Sequence, residues 1–174
     1  MRKSEIKQEK EMLFFGIVLL TLVILLSHPI FQRFDDYYDT SEVIVFRVID
    51  GDTFELEDGT RIRLIGIDTP ESVSPDESKN TVYGTIASDF TKSLIEGRTV
   101  TLEYDIDLTD EYGRTLAYVY LENRQMLQEV LLKEGYARTM TISPNTRYEE
   151  IFRTLEGQAM YTETGFWADY YKEN

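Results

Sequence analysis

The chain has 174 residues, with 18 Lys/Arg against 32 Asp/Glu, a formal net charge of −14, one histidine and no cysteine. The lack of cysteine excludes disulfides and thiolate metal sites. The acidic balance argues against a basic face for non-specific polyanion binding.

Met12 to Leu26 (MLFFGIVLLTLVILL) carries no charge and, extended to Phe31, is long enough to cross a hydrocarbon core of roughly 30 Å. Arg2, Lys3, Lys7 and Lys10 precede it and favour a cytoplasmic head over residues 1–11. Residues 12–31 are therefore expected to form a single transmembrane signal-anchor. A cleaved signal peptide is the alternative, although SHPIFQRF after Leu26 offers no small-x-small processing site. With either outcome the remainder is extracytoplasmic, on the cell membrane or secreted. His28, the one histidine, has no histidine partner and reads as an interfacial bystander. Any general base beyond it must be a carboxylate or, less favourably, a tyrosine or lysine.

Residues 32–42 form an acidic, aromatic spacer, and residues 43–170 fit one domain. Residues 1–34 hold five basic and three acidic side chains, so the 140 residues from Asp35 carry 13 basic against 29 acidic. Glu42–Asp50 (EVIVFRVID) is β-branched and aromatic and predicts a strand. Gly51 breaks it, and Thr53–Glu57 predicts a second strand that closes at the hairpin signal Asp58-Gly59. Arg61–Ile67 predicts a third strand, ended near Pro70, and Ser72–Asn80 a polar loop. Val82, Ile86, Phe90, Leu94 and Ile95 recur at helical spacing up to Gly97 and predict an amphipathic helix over Val82–Glu96. Thr99–Asp105 and Thr115–Leu121 predict two further strands, with a charged loop from Asp107 to Arg114. Met126–Glu134 and Arg147–Thr162 predict two more helices, the last with Ile151, Leu155 and Ala159 on one face. Tyr136–Pro144 reads as irregular, and Trp167 as a packing anchor. Five strands with a helix between the third and fourth predict an α+β fold dominated by a small five-stranded barrel of the oligonucleotide-binding (OB) type, with three helices.

Chemistry gathers at the strand ends. Asp50-Gly51-Asp52-Thr53 and Asp68-Thr69 offer carboxylates of the kind that suit a hard cation. In so acidic a chain a DGD turn alone is ordinarily a solvated turn. Arg63 lies inside a strand and Arg114 just before another, and arginine is the residue suited to a two-pronged grip on phosphate. A bland pairing of each with a nearby acid competes with that reading. Together with Glu71, these are parts for hydrolysing a phosphodiester.

VIDGDT (Val48–Thr53), RLIGIDTPE (Arg63–Glu71) and DEYGR (Asp110–Arg114) resemble the signature of the staphylococcal nuclease (thermonuclease) family. YGTIASDFTK (Tyr83–Lys92), LAYVY (Leu116–Tyr120) and the late helix before Trp167 follow in the same order, so the similarity covers roughly Ile44 to Trp167. The resemblance implies an OB barrel that hydrolyses DNA and RNA with Ca²⁺ and leaves 3′-phosphate ends. Asp52 and Asp68 would bind Ca²⁺ through their carboxylates and Thr69 through its carbonyl, with Asp50 acting through water. Glu71 would orient or deprotonate the attacking water, and Arg63 and Arg114 would hold the phosphate, with Tyr112 beside the nucleotide. The implied partner is nucleic acid, single-stranded or exposed, and a monomer is expected.

Three departures stand against this. Glu111 occupies the place of a phosphate-contacting lysine, the loop Ser72–Asn80 carries Asp76 and Glu77 against one lysine, Lys79, and Met140–Ser143 contains no tyrosine. With the net charge they predict weaker and more salt-sensitive substrate binding. They also leave an alternative open: a catalytically weak OB module that binds nucleic acid or protein.

Overall fold

A computed structural model describes residues 40–72 and 81–170, together with Met12 and Val18. The expected signal-anchor over residues 12–31 apart from Met12 and Val18, residues 32–39 of the spacer and residues 73–80 of the loop Ser72–Asn80 lie outside the described residues. Among the described residues no helix is long and apolar enough to cross a membrane.

Among the described residues from Thr40 onward there are seven strands and four helices. The strands are β1 (Thr40–Asp50), β2 (Thr53–Leu56), β3 (Arg61–Leu64), β4 (Gly66–Asp68), β5 (Thr99–Glu103), β6 (Thr115–Tyr120) and β7 (Arg138–Met140). The helices are α1 (Val82–Ile95), α2 (Leu127–Lys133), α3 (Glu149–Tyr161) and α4 (Trp167–Tyr170). The five-stranded barrel expected from the sequence closes in the order β1, β2, β3, β6 and β5. The long strand β1 makes the closure possible. Its first half, Thr40–Ile44, pairs antiparallel with β5, and its second half, from Val45 to Asp50, pairs with β2. Register shifts at Val45/Arg47 and Val48/Asp50 bend and twist the strand between these duties. β3 and β6 pair in parallel, Ile62 opposite Thr115 and Leu64 opposite Ala117, across the connection that contains α1 and β5.

The third strand is shorter than the sequence suggests. Gly66 takes a φ of +82°, a conformation that carries no penalty only for glycine, and turns the chain out of the barrel. Residues 66–68 become β4, which pairs with β7 in a separate two-stranded sheet, Asp68 opposite Arg138. The segment read as irregular thus supplies a strand. Its three-residue length gives too few alternating positions for periodicity to register. A short fourth helix, α4, adds to the three expected.

The helix faces also need correction. On α1 the periodic apolar residues Val82 and Ile86 are exposed, and the buried face is Gly84, Ala87, Thr91 and Ile95. Small side chains there let the helix lie close against the barrel's end. On α3 Ile151 is exposed, while Phe152, Leu155 and Ala159 are buried.

Phe54, Ile62, Leu64, Val100, Leu102 and Val119 fill the barrel and are almost wholly buried, and Leu131 and Leu132 of α2 and Phe152 of α3 continue this core outside it. Each such side chain contributes about 1.5–3 kcal/mol by leaving water. Gln128 is fully buried and fully used: its Nε2 donates to the Ala117 carbonyl at 3.1 Å, and its Oε1 accepts from the Val119 amide at 3.1 Å. Trp167 is buried with Phe166 and Ala159, as an anchor should be, and the Arg138 guanidinium stacks over both rings at 5.1 and 5.2 Å.

Beside the barrel, the buried Glu103 carboxylate accepts from Tyr120 Oη at 2.7 Å, from Tyr148 Oη and from Arg147. Asp105 accepts from Tyr118 Oη and from Arg147, 3.0 and 3.1 Å away. Burial first, then hydrogen bonding with Tyr148 and Glu103, holds the Tyr120 phenol far above its ordinary value, and burial and Asp105 do the same to Tyr118. Groups whose folded pKa is raised stabilise the fold fully below the unfolded value, about 10 for tyrosine, and lose that stabilisation as pH climbs beyond it. Stability measured by urea unfolding is therefore expected to fall steadily above that pH. Tyr120→Phe should cost about 1 kcal/mol at neutral pH and make the alkaline fall shallower. An unchanged alkaline slope would contradict the assignment.

Candidate active site

The expected site residues converge at one end of the barrel, and a buried arginine organises them. Arg63 belongs to β3, and its side chain is 9% exposed. A guanidinium does not lose its charge, so burial obliges it to find acceptors. Nη1 donates to the carbonyls of Leu64 and Ile67 at 3.2 and 2.9 Å and lies 3.0 Å from Asp52 Oδ2. Nη2 reaches Asp68 Oδ1 at 2.9 Å. The outward turn at Gly66 makes this possible, because it brings the Ile67 carbonyl and the Asp68 carboxylate back over the arginine that precedes them.

Asp52 is buried, and its oxygens are well used. Oδ2 accepts from the Thr69 amide at 2.9 Å and from Thr69 Oγ1 at 3.2 Å, and Oδ1 accepts from Thr53 Oγ1 at 2.9 Å. Asp52, Arg63, Asp68 and Thr69 thus stand in direct contact. Asp50 turns the other way, with Oδ1 accepting from the Gly51 amide and from Ser72 Oγ at 2.8 and 2.7 Å. Glu71 is exposed and lies close enough to Asp50, Asp52 and Asp68 to feel their charge. Partial burial first, then the Asp50 and Asp52 carboxylates, holds the Glu71 carboxyl above its usual range. Burial and Asp52 likewise raise Asp68, against the opposing pull of Arg63 and Arg138.

Arg114 stands at the start of β6, away from the barrel's interior. Its Nε donates to Asp110 Oδ2 at 2.7 Å, its Nη1 lies 3.5 Å from Thr53 Oγ1, and its guanidinium sits 5.4 Å above the ring of Tyr112, which is 76% exposed. Asp110 Oδ1 accepts from the amides of Tyr112 and Arg114 at 3.0 and 2.9 Å. Burial lifts the Asp110 carboxyl, but the Arg114 amide and guanidinium outweigh it and hold the group below its usual range. A cleft of about 330 Å³ opens beside both arginines.

Several supports were not legible as site residues. Gly51 passes Thr69 so closely that a Cβ would lie 2.7 Å from Thr69 Oγ1. Thr91 of α1, buried, donates to the Gly51 carbonyl at 2.8 Å and pins the DGD turn from behind. Gly84 lets the first turn of α1 rest on the Glu71 backbone, which in turn accepts from the Thr81 amide at 2.9 Å. A glycine inside a predicted helix was the one available signal. The others depend on contacts that only folding creates.

All the donors at this end are oxygens, and acidic charge exceeds basic, a set that fits a hard divalent cation better than a transition metal. Among the described residues no three acidic or histidine side chains stand close enough together to hold a metal on side chains alone.

The barrel belongs to the oligonucleotide-binding class, with an arginine–carboxylate site at its end. Residues 61–169 match the family model described as staphylococcal nuclease homologue. A thermonuclease of Staphylococcus hyicus is 44% identical over 128 residues, which cover 72% of this chain and 75% of that protein. A thermonuclease of Staphylococcus intermedius is 43% identical over 127 residues, 71% and 74% of the two chains. Endonuclease YncB of Bacillus subtilis (strain 168) is 39% identical over 131 residues, 72% of this chain and 61% of that protein. The chain belongs to the staphylococcal nuclease family.

The support at Gly84 can be tested against propensity. Alanine favours a helix over glycine by about 1 kcal/mol, yet a Cβ at Gly84 would meet the Glu71 carbonyl oxygen at 2.1 Å. Backbone cannot yield as a side chain does, so Gly84→Ala is expected to destabilise by at least about 2 kcal/mol in urea unfolding. A stabilised variant would show that the contact does not hold Glu71 in place.

Proposed function

We propose that this hydrolytic nuclease is a Ca²⁺-dependent phosphodiesterase that cleaves DNA and RNA internally and leaves 3′-phosphate ends. Asp52 and Asp68 would hold the cation through their carboxylates and Thr69 through its backbone carbonyl, with Asp50 acting through water. A cation held there would supply polarisation of the phosphoryl oxygen and offset the charge that builds on it. The observation that carries this reading is the contact set of Asp52, Arg63, Asp68 and Thr69 beside Glu71. Burial first, and neighbouring carboxylates after it, raise the Asp68 and Glu71 groups, and a divalent cation beside them would offset both effects.

Arg63 and Arg114 grip the scissile phosphate from two sides. Arg63 is oriented by its two carbonyl acceptors, and Arg114 by Asp110, so neither must be ordered when the substrate arrives. Glu71 orients or deprotonates the attacking water, and its raised affinity for a proton suits it to receive one. Tyr112 packs beside the nucleotide. A site recessed at the end of a closed barrel favours single-stranded or otherwise exposed nucleic acid. The apolar run at residues 12–31 supports a single-pass membrane anchor with the catalytic domain outside the cytoplasm, or secretion if that segment is cleaved.

The deciding experiment is cleavage of single-stranded DNA by the purified protein with Ca²⁺ and then with chelator, beside three variants. Glu71→Gln, Arg63→Lys and Arg114→Lys should each lower kcat by at least about a hundredfold, since lysine cannot reproduce a bidentate grip. Wild-type rates in any of them would mean that its role is misassigned. Thermal stability gives a second measure. Ca²⁺ should raise the midpoint of the wild type through binding to the folded state, and Asp68→Ala should abolish that rise.

A further inference from the structure

Arg138 has no part in gripping phosphate or moving a proton, yet it stands beside a site carboxylate. It is the first residue of β7 and lies directly opposite Asp68, the last residue of β4. Residues so opposed in an antiparallel pair point to the same face, with Cβ atoms about 4.5–5.5 Å apart, and both of these are exposed. Opposite charges in that relation ordinarily attract one another into contact. Here the Arg138 guanidinium lies over the rings of Phe166 and Trp167 instead, 5.1 and 5.2 Å from their centroids. Both rings are buried, so the platform that holds the guanidinium is a fixed one. Asp68 takes its hydrogen bond from the other arginine, Arg63 Nη2, at 2.9 Å. The Arg138 charge still reaches Asp68, where it acts with Arg63 against the charges of Asp52 and Asp50.

We infer that Arg138 sets the calcium affinity of the site: held on Phe166 and Trp167, it repels a cation at Asp68 without ligating it, and so keeps the affinity low. This rests on the proposed calcium site of Asp52, Asp68 and Thr69. The two arginines near Asp68 have separate duties. Arg63 is buried and tied to the carbonyls of Leu64 and Ile67, so its charge belongs to the architecture of the site. Arg138 is exposed, and β7 could pair with β4 equally well with a neutral side chain there. An arginine keeps its charge at any working pH, so the repulsion is permanent. The electron-rich ring faces attract the guanidinium and keep it from closing on Asp68 when no cation is present. The carboxylate therefore stays open to a cation but binds it weakly. Such a site fills only where calcium is abundant, as in extracellular modules that work at about 10⁻⁴–10⁻³ M.

The test is calorimetric titration of the full chain in an uncharged detergent, with Ca²⁺ and then with La³⁺ as a probe of ion charge. Heats from Asp68→Ala are subtracted, which removes weak binding to the acidic surface. Arg138→Gln should tighten Ca²⁺ binding about fivefold and La³⁺ binding about tenfold, because the repulsion grows in proportion to the charge of the ion. High salt should shrink both gains, since the charges concerned are partly exposed and screened. Arg138→Met, which keeps the packing on the rings without the charge, should match Arg138→Gln. Arg138→Lys, which keeps the charge, should bind both ions as the wild type does. Lost stacking lowers stability, so all titrations are made well below the thermal midpoints. A purely structural role would there weaken binding and not tighten it. Unchanged or weaker Ca²⁺ binding in the Gln and Met variants would overturn the inference and leave the calcium site standing. So would an equal gain for the two ions, or the same gain in Arg138→Lys. Absence of Ca²⁺ binding to the wild type and every variant would remove the site and the inference together.

Discussion

A guanidinium buried in the wall of a barrel needs its acceptors arranged before it can be there at all, and Arg63 has them on three segments. The Leu64 carbonyl comes from its own strand, the Ile67 carbonyl and Asp68 from β4, and Asp52 from the turn before β2. Removing one acceptor would leave a buried charge partly unpaired, which is far costlier than the net contribution of the pair. The constraint therefore acts on the chain as a whole. β3 must stop at Leu64, Gly66 must take a positive φ, and Thr69 must return to Asp52. The same contacts that satisfy Arg63 set the positions of the Asp52 and Asp68 carboxylates.

A second layer fixes that arrangement from behind. Thr91 and Gly84 on α1, and Ser72 after Pro70, bind or abut the backbone and carboxylates of the DGD and DTPE turns. α1 is shaped for this purpose more than for filling the core. Its buried face runs through the small Gly84, Ala87 and Thr91 before Ile95, and two of its larger apolar residues point to solvent. Close approach of the helix to the turns outweighed the burial of Val82 and Ile86. On the other side, Arg138 lies opposite Asp68 in the small sheet and stacks on Phe166 and Trp167, so the C-terminal anchor adjoins the strand that carries a site carboxylate.

The electrostatics of the domain are divided. Its surface is strongly acidic, yet the arginines at the barrel's end are held by carboxylates in fixed geometry. A positioned charge of this kind does most of its work at short range, where local dielectric is low. Long-range steering of a polyanion depends on net charge instead, and here it works against approach. A family member can therefore retain the constellation for phosphodiester chemistry while its surface departs from a basic, polyanion-binding one.

The barrel was legible because its strands carry period-two patterns, β-branched residues and a clear DG hairpin signal, and these act locally. Asp52, Arg63, Asp68, Thr69, Glu71, Tyr112 and Arg114 were legible as candidate site residues because three motifs stood in order at strand ends. Other features were decided only by the tertiary structure. The break at Gly66 and the pairing of β4 with β7 join segments some seventy residues apart by three-residue strands too short to announce themselves. The buried face of α1 was set by how near the helix must come to the turns, a distance that periodicity does not encode. The cleft that Arg63 and Arg114 share with Met140 and Ile142 likewise brings together elements far apart in the chain. Local sequence thus determined which elements form and which chemical groups they carry. Long-range packing determined which of those groups meet, because a contact between distant residues depends on the whole path of the chain between them.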